Sequence, residues 1–345
     1  MLESITIKNF RNLESLKLSF EPWVNAIYGD NWRWKTSIIE AISLFAEESL
    51  WSSSFEHMLR HDAESFFLQV QTDTWVLALS YEKQTKKKKY FLNKKSVTKK
   101  KFFETSYRAC IFSPTTMNMF LLWPKERRFY MDSCLIQTYS GYKKLHKKYE
   151  KIIQQRNATL KSIQKWKSQV SELFFWNNEF IDLALSIYRY RYVFMQFLQK
   201  HSRDFHNSIA NLQTFEICYE SKIHFQNPEK DLLYFIETEQ EKEIIMWRTL
   251  VWPHLDDLQI YVDDQELLYR ASRWEMKSII FWLKVLEAEF IEEKTQKKPI
   301  ILIDDFMSEL DLTHQKFVLK QGENYQIILS DIRKTKAWNP YFIKI

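Results

Sequence analysis

The residues best suited to chemistry begin with Lys35 and Thr36, which open an apolar helix downstream of Gly29 in the stretch "YGDNWRWKTSII". A phosphate-binding loop needs inward-pointing N–H groups between a strand and a helix. It also needs a lysine for the β- and γ-phosphates and a hydroxyl for Mg²⁺. Lys35 and Thr36 match the last two roles, and the helix that starts there offers its positive end to an anion. Gly29, Asp30, Asn31, Trp32, Arg33 and Trp34 form the rest of the loop. The residue before the lysine should be glycine, because the backbone must approach the phosphate closely, yet that position holds Trp34. The plainer reading is a lysine–threonine pair that opens a helix by chance.

A second candidate lies near the other end of the chain, in "PIILIDDFMSELD". An apolar strand that ends in Asp304 and Asp305 resembles a Walker B strand. There the first acid supports Mg²⁺ and the second polarises an attacking water. The plainer alternative is an ordinary strand ending in a polar turn. A third candidate is Ser272, in a polar turn that enters the helix "SRWEMKSIIFWLKVLEAEF". A serine–x–glycine turn at a helix start caps the nucleotide of the partner subunit in ABC- and SMC-type ATPases. The glycine position here is Trp274.

The flanking elements fit these roles. "LESITIKNF" alternates like a half-buried strand, and "VNAIYG" is a buried strand that enters the loop. Beyond the loop, Ile38, Ile39, Ile42 and Phe45 share one helical face. Short alternating runs from about Phe67 to Ile111 predict an antiparallel sheet. From Tyr142 to about His201 the pattern is helical, with one apolar series Leu145, Tyr149, Ile152, Leu160, Ile163 and Val170. A second series follows through Phe180, Leu183, Ile187 and Phe194. Strand-like segments return near Phe215. The expected division is residues 1–135 and 236–345 as the two parts of an α/β head, with 136–235 as a helical arm between them.

Composition narrows the class. The 345 residues carry a net charge of +6, and no apolar run approaches the roughly 20 residues of a membrane span. The N-terminus lacks the pattern of a secretion signal. Three scattered cysteines make neither a disulfide framework nor a metal site, so a cytosolic protein is expected. "EKQTKKKKYFLNKKSVTKKKFF" packs ten lysines into Glu82–Phe103. Such a run suits a polyanion through counterion release, or is simply a solvated hairpin. Glycine is the abnormal count: roughly 24 would be ordinary at this length, and there are three, beside 13 tryptophans.

These motifs resemble, in order and over nearly the whole length, the RecF family of ABC/SMC-type DNA-repair ATPases. "GDNWRWKTSIIEAI" is similar to its loop GxNGxGKTxxLEAI, and "LESITIKNFRNLESLKLSF" to its opening strand and turn. "IFSPTTMNMFLLWPKERRFYMD" resembles its SPEDL…GPxxRRxFLD segment. "MWRTLVWPHLDDL" resembles GxTLxGPHRDD, "SRWEMKS" resembles SxGQxR, and "PIILIDDFMSELD" resembles PxLLLDDVxSELD. The resemblance implies an α/β fold, an ABC/SMC-type P-loop ATPase head with an inserted α-helical arm. Its cofactors would be ATP and Mg²⁺, and ATP would drive formation of a homodimer. Lys35 and Thr36 would hold the phosphates and metal, and Asp304 would support the metal. Asp305 would position water for slow hydrolysis, and Ser272 with Trp274 would cap the partner's nucleotide. Arg11 and Asn12 would lie near the nucleotide, and Ser308–Asp311 would cross the dimer interface. The implied partners are DNA at gapped single-strand/double-strand junctions, RecR, and through it RecO and RecA. Leu255 for arginine, Glu275 for glutamine and Lys277 for arginine depart from the pattern and bear on the signature turn.

In this alignment Trp23, Trp32, Trp34, Trp123, Trp247, Trp252 and Trp274 all fall on glycines. The two side chains share no physical role, so such a set points to recoding: UGA specifies glycine in some bacterial lineages and is read as tryptophan by a common alternative table. The other reading takes the tryptophans literally. An indole before Lys35 then occludes the phosphate space, at a strain of about 1–3 kcal/mol, and leaves a catalytically dead DNA-binding scaffold.

Overall fold

The computed structural model describes residues 1–29, 32–46, 54–113, 116, 123–209, 215–305, 315–316, 319–331 and 341–344. By packing, the chain divides into two units. One comprises Met1–Asn118 with Ser272–Ile345, and the other is the intervening Met119–Ala271. The first unit is thus made from both ends of the chain, with the second inserted between them.

Two sheets organise the first unit. Strand β1 (Leu2–Phe10) turns its Ile5 and Ile7 inward, both fully buried, while Lys8 stays exposed. This period-two pattern continues across β2 (Leu13–Ser19), β4 (Ser65–Thr72), β5 (Val76–Glu82), β6 (Lys87–Leu92) and β7 (Lys95–Val97). These strands make one antiparallel sheet in the order β2-β1-β4-β5-β6-β7. Asn93 and Lys94, both with positive φ, form the two-residue turn between β6 and β7. Such a turn matches the twist of the strands it joins. The stretch expected to be all strand also contains a helix, α2 (Lys99–Thr105), capped by Thr98 and anchored by buried Phe102. It ends with Ala109–Phe112, which belongs to the other sheet.

That second sheet is parallel, in the order β14-β3-β13-β12-β8. Its strands are β3 (Val24–Tyr28), β8 (Ala109–Phe112), β12 (Ile300–Ile303), β13 (Ile327–Asp331) and β14 (Tyr341–Lys344). Parallel strands are covered on both faces, so they read as unbroken apolar runs. All four residues of β8 and all four of β12 are buried. Helix α1 (Trp32–Ser43) lays Ile38, Ile39 and Ile42, each fully buried, into the core shared by both sheets. Burying one such side chain is worth about 1.5–3 kcal/mol.

The inserted unit is mostly helical. Its helices are α3 (Pro124–Thr138), α4 (Tyr142–Gln164), α5 (Glu172–Ile209), α6 (Pro228–Thr238), α7 (Gln240–Met246) and α8 (Leu267–Arg270). A three-stranded antiparallel sheet runs β11 (Gln265–Glu266), β10 (Asp257–Val262), β9 (Phe215–Glu220). Phe180, Leu183, Ile187 and Phe194 are buried as their spacing predicts, but Val170 lies in the turn after α4 and is exposed. The centre of this unit is ionic. Arg191 of α5, almost fully buried, reaches Asp132 of α3 through three contacts of 2.9–3.2 Å, and donates to Tyr219 Oη at 3.0 Å. Burial alone would raise the Asp132 carboxyl, but Arg191, His146 and Tyr142 overrule it and hold it at about 2. Arg156 makes a second buried centre with Glu243, Asn177 and Thr249. Among the described residues, no helix is long and apolar enough to cross a membrane.

Two tryptophans of this unit sit in left-handed backbone. Trp166 has φ 60° just past α4, where its N–H donates to the Ile163 carbonyl at 2.9 Å. The next N–H, of Lys167, donates to Ser162, also at 2.9 Å. Trp247 has φ 57° at the end of α7, and the N–H of Arg248 returns to Glu243 at 3.2 Å. Both are the paired-bond helix endings in which glycine is the usual left-handed residue. A side chain there costs about 1–2 kcal/mol. Trp166 is 96% exposed, so its indole packs on little that offsets the strain. Trp252 has the opposite problem: it is buried against Phe180, and its indole Nε1 has no hydrogen-bond partner among the described residues. Trp166→Gly is expected to raise the unfolding free energy of the chain by about 1 kcal/mol. Trp282→Gly, in a buried helix, should lower it by about 3–5 kcal/mol; urea titration of both variants checks the contrast.

Candidate functional site

The C-terminal ends of the parallel strands bring the candidate residues together. Strand β3 runs into Gly29, and α1 follows across the loop. Lys35, in the first turn of α1, is buried and donates its Nζ to the Gly29 carbonyl at 2.9 Å. The ammonium is thereby held over the start of the loop. One residue on, Thr36 donates Oγ1–H to Asp304 Oδ1 at 3.0 Å. Asp304 follows β12 directly, and its own N–H bonds the Phe112 carbonyl at the end of β8 at 2.8 Å. Between β3 and β12 lies β13, and its Ser330 donates to the same Asp304 oxygen at 2.8 Å. The Ser330 hydroxyl also accepts from the N–H of Asp305 at 2.9 Å. Asp305 has φ 50°, a left-handed conformation that aspartate tolerates better than most residues.

Burial pushes the Asp304 carboxyl up, against the hydrogen bonds from Ser330 and Thr36, and the charges of Asp305 and Glu40 push it further. A buried carboxylate crowded by two other acids is a site short of positive charge. A hydroxyl and a carboxylate oxygen in contact are also the hard donors that Mg²⁺ takes. The donor set therefore fits a magnesium ion held by Thr36 and Asp304. Lys35 and the start of α1 fit an anion beside it.

Two residues hold α1 from outside. Arg11, itself at φ 53°, clasps Glu40 of α1 with bonds of 2.8 and 2.6 Å and donates to the His57 carbonyl at 2.7 Å. The Glu40 hydrogen bond keeps that guanidinium charged above its ordinary range. Asn12 accepts from Ser37 Oγ at 2.9 Å. Both side chains thus act on the helix that carries Lys35 and Thr36.

Sequence reasoning found neither Glu40 nor Ser330 as functional residues. Glu40 stands inside the quoted "IIEAI" run, and its lone charge on an apolar face is the signal that was there to use. Ser330 lies in no motif. Only strand order brings it between the loop and the acid.

Ser272 opens α9 (Arg273–Thr295) in a capping box. Its Oγ accepts from the Glu275 N–H, and its own N–H donates to Glu275 Oε2 at 2.7 Å. The exposed Ser272 hydroxyl also donates to that carboxylate at 2.7 Å. Among the described residues no contact joins Ser272 to Lys35, Thr36 or Asp304. Asp30, Asn31 and Ser308–Asp311 lie outside the described residues, as do the side chains of Trp32, Arg33 and Trp274. Trp34 is 39% exposed on the first turn of α1, directly before the buried lysine.

No protein-family model matches the chain. It is 31% identical over 332 residues to a DNA replication and repair protein RecF of Bacillus cereus, covering 92% of this chain and 88% of that one. Its fold is similar to that of the recombination mediator protein RecF in an ATPrS-bound form. The TM-score is 0.88 at 26% identity, covering 100% of this chain and 96% of that one. An Smc head bound to the C-terminal winged-helix domain of ScpA shares the fold at a TM-score of 0.55 and 12% identity, over 96% of this chain and 90% of that chain.

The raised Asp304 carboxyl sets a pH and mutational signature for the ligand-free chain. A carboxyl whose folded value lies above its unfolded one penalises folding at neutral pH, and the penalty is relieved as pH falls through the folded value. Asp304→Asn should therefore raise the melting temperature at pH 7. The gain over the unchanged chain should shrink on acidification, which a melting series from pH 7 to pH 4 measures.

Proposed function

The chain belongs to the RecF family of DNA replication and repair proteins, and from that premise we propose that it is an ATP-dependent DNA-binding recombination mediator. The observation that carries the nucleotide part is the 3.0 Å contact of Thr36 with Asp304, beside buried Lys35. In this reading the Lys35 ammonium would hold the β- and γ-phosphates. Thr36 Oγ1 and Asp304 would hold Mg²⁺, which would supply positive charge to offset that of the phosphates. Asp305, whose backbone N–H is held by the Ser330 hydroxyl, would position the attacking water for slow hydrolysis. Arg11 and Asn12 keep α1 in place through Glu40 and Ser37. The helix start at Ser272 caps the nucleotide of a second copy, so that ATP drives dimerisation. Glu275 must yield the Ser272 hydroxyl for this. It is a specific cost of carrying a carboxylate where the family pattern has glutamine.

The dimer is proposed to act in the cytoplasm on gapped DNA, at single-strand/double-strand junctions, with RecR and through it RecO. Loading of RecA in repair and replication restart would follow. Residues 136–235 serve as the helical arm of that assembly.

Glycine is the residue we assign in the cell to Trp23, Trp32, Trp34, Trp123, Trp247, Trp252 and Trp274. The left-handed backbone of Trp247 and the unpartnered indole of Trp252 support that assignment independently of the motifs. Literal tryptophans would leave a non-hydrolysing DNA-binding scaffold.

The chain as written should show no ATP–Mg²⁺ binding in a calorimetric titration. The variant with glycine at all seven positions should bind. Adding Lys35→Ala to that variant should weaken binding roughly 10- to 150-fold, the loss of one charge-assisted contact. A glycine variant that stays silent would count against the ATPase reading.

A further inference from the structure

The antiparallel sheet of the first unit has one face in the core and one in solvent, and the solvent face has an unusual charge pattern. Strand register sets it out. Across the sheet, Lys8 on β1 stands opposite Phe67 on β4, which is opposite Ser80 on β5, which is opposite Lys89 on β6. The next row passes from Lys17 on β2 through Thr6, Gln69 and Ala78 to Phe91. At one end Glu82 faces Lys87. Lys8, Lys17, Lys87 and Lys89 are exposed, and none has an ion-pair partner among the described residues. Among the described residues two acids share the face, and Glu82 already accepts from Thr85 at 2.7 Å. Glu3, at the bulge, accepts from the Gln71 amide at 2.9 Å.

We propose that this solvent face is the surface on which the chain holds duplex DNA by its backbone, a reading that rests on the DNA-repair function proposed above. An ordinary solvated sheet face carries both signs interspersed, whereas this one presents four lysines without an ion-pair partner against two acids engaged by Thr85 and Gln71, over a floor of serine, threonine, glutamine, alanine and two half-buried phenylalanines. Lysine at a sheet edge also discourages strand pairing, and β7 pairs only with Tyr90, Phe91 and Leu92, so this role suits Lys87 and Lys89; it does not account for Lys8, whose strand is paired on both sides. The spacing suits two phosphate ridges. Lys8 and Lys89 sit three strands apart, about 14 Å, near the roughly 12 Å width of a major groove. Lysine contacts to phosphate carry no sequence information, so binding is sequence-independent.

The assignment also divides the lysine-rich segment. Only Lys87 and Lys89 join the face, whereas Lys88 points to the other side, its Nζ 3.8 Å from the Phe55 ring centroid. Lys94 and Lys95 lie at the β6–β7 turn, and Lys100 and Lys101 on α2.

The test is fluorescence anisotropy of the full chain with a labelled duplex of arbitrary sequence, over a salt series. Lys8, Lys17, Lys87 and Lys89 all changed to alanine should weaken binding at least tenfold at fixed salt. The log–log salt slope should fall by about 2–4. Alanine at Lys94, Lys95, Lys100 and Lys101 removes the same charge and should cost less than about threefold on this geometry. Gln69→Lys, in the middle of the face, should tighten binding and steepen the slope by about one, a gain that misfolding cannot mimic. Equal losses from the two quadruple variants, or no change in the face variant, would overturn the assignment. So would a loss confined to single-stranded DNA of the same length. An unchanged chain that binds no duplex at all overturns the DNA-repair reading, and this one with it.

Discussion

The fold turns on one buried oxygen. Asp304 Oδ1 receives Thr36 from α1 and Ser330 from β13, so two segments far apart in the chain are joined at the end of one parallel sheet. The register makes the meeting unavoidable. Ile27 pairs with Ser330, and Ile303 with Leu329, so β3, β13 and β12 end level with one another. The two halves of the head therefore cannot form separately, because each holds strands that the other must pair. The inserted unit can be as large as it is because its own core is independent. It is pinned by Arg191 and Asp132, and removing either partner of such a buried pair typically costs about 3–5 kcal/mol.

The second constraint is on the backbone. Left-handed helix endings and a phosphate loop both need room where a Cβ would sit, and this chain has almost no glycine to give them. Tryptophan occupies such positions instead, and the structure bears the consequences in three different forms. Trp166 and Trp247 adopt φ near +60°, Trp252 buries an N–H without a partner, and several other indoles stand in solvent. Three unrelated defects with one residue type in common are more economically explained by the residue than by three local stories. Trp166 was not among the glycine-aligned positions, so backbone geometry extends the pattern beyond the motifs that first revealed it.

Much of the site was legible in sequence because its parts are local. A strand, a loop and a helix leave their periods in "VNAIYGDNWRWKTSIIEAI", and an apolar run ending in two acids is equally plain. What lay hidden depends on pairing between distant strands or on buried polar groups. Ser330 acquires meaning only when β13 lands between β3 and β12. Arg191 and Arg156 read as solvent-facing charges in helical patterns, yet both are buried because each meets a carboxylate from another element. Helix α2 was concealed by "TKKKFFET", whose lysines and paired phenylalanines suit a strand or a short helix until Thr98 caps it. The outward face of the antiparallel sheet could not be seen either, since register alone aligns Lys8 with Lys89.

The central claim is that a working phosphate loop stands behind Trp32 and Trp34. It is tested most directly by peptide mass spectrometry of the protein isolated from the cells that make it. The account predicts glycine masses at positions 32 and 34, and likewise at 247. Tryptophan masses at those positions would contradict it.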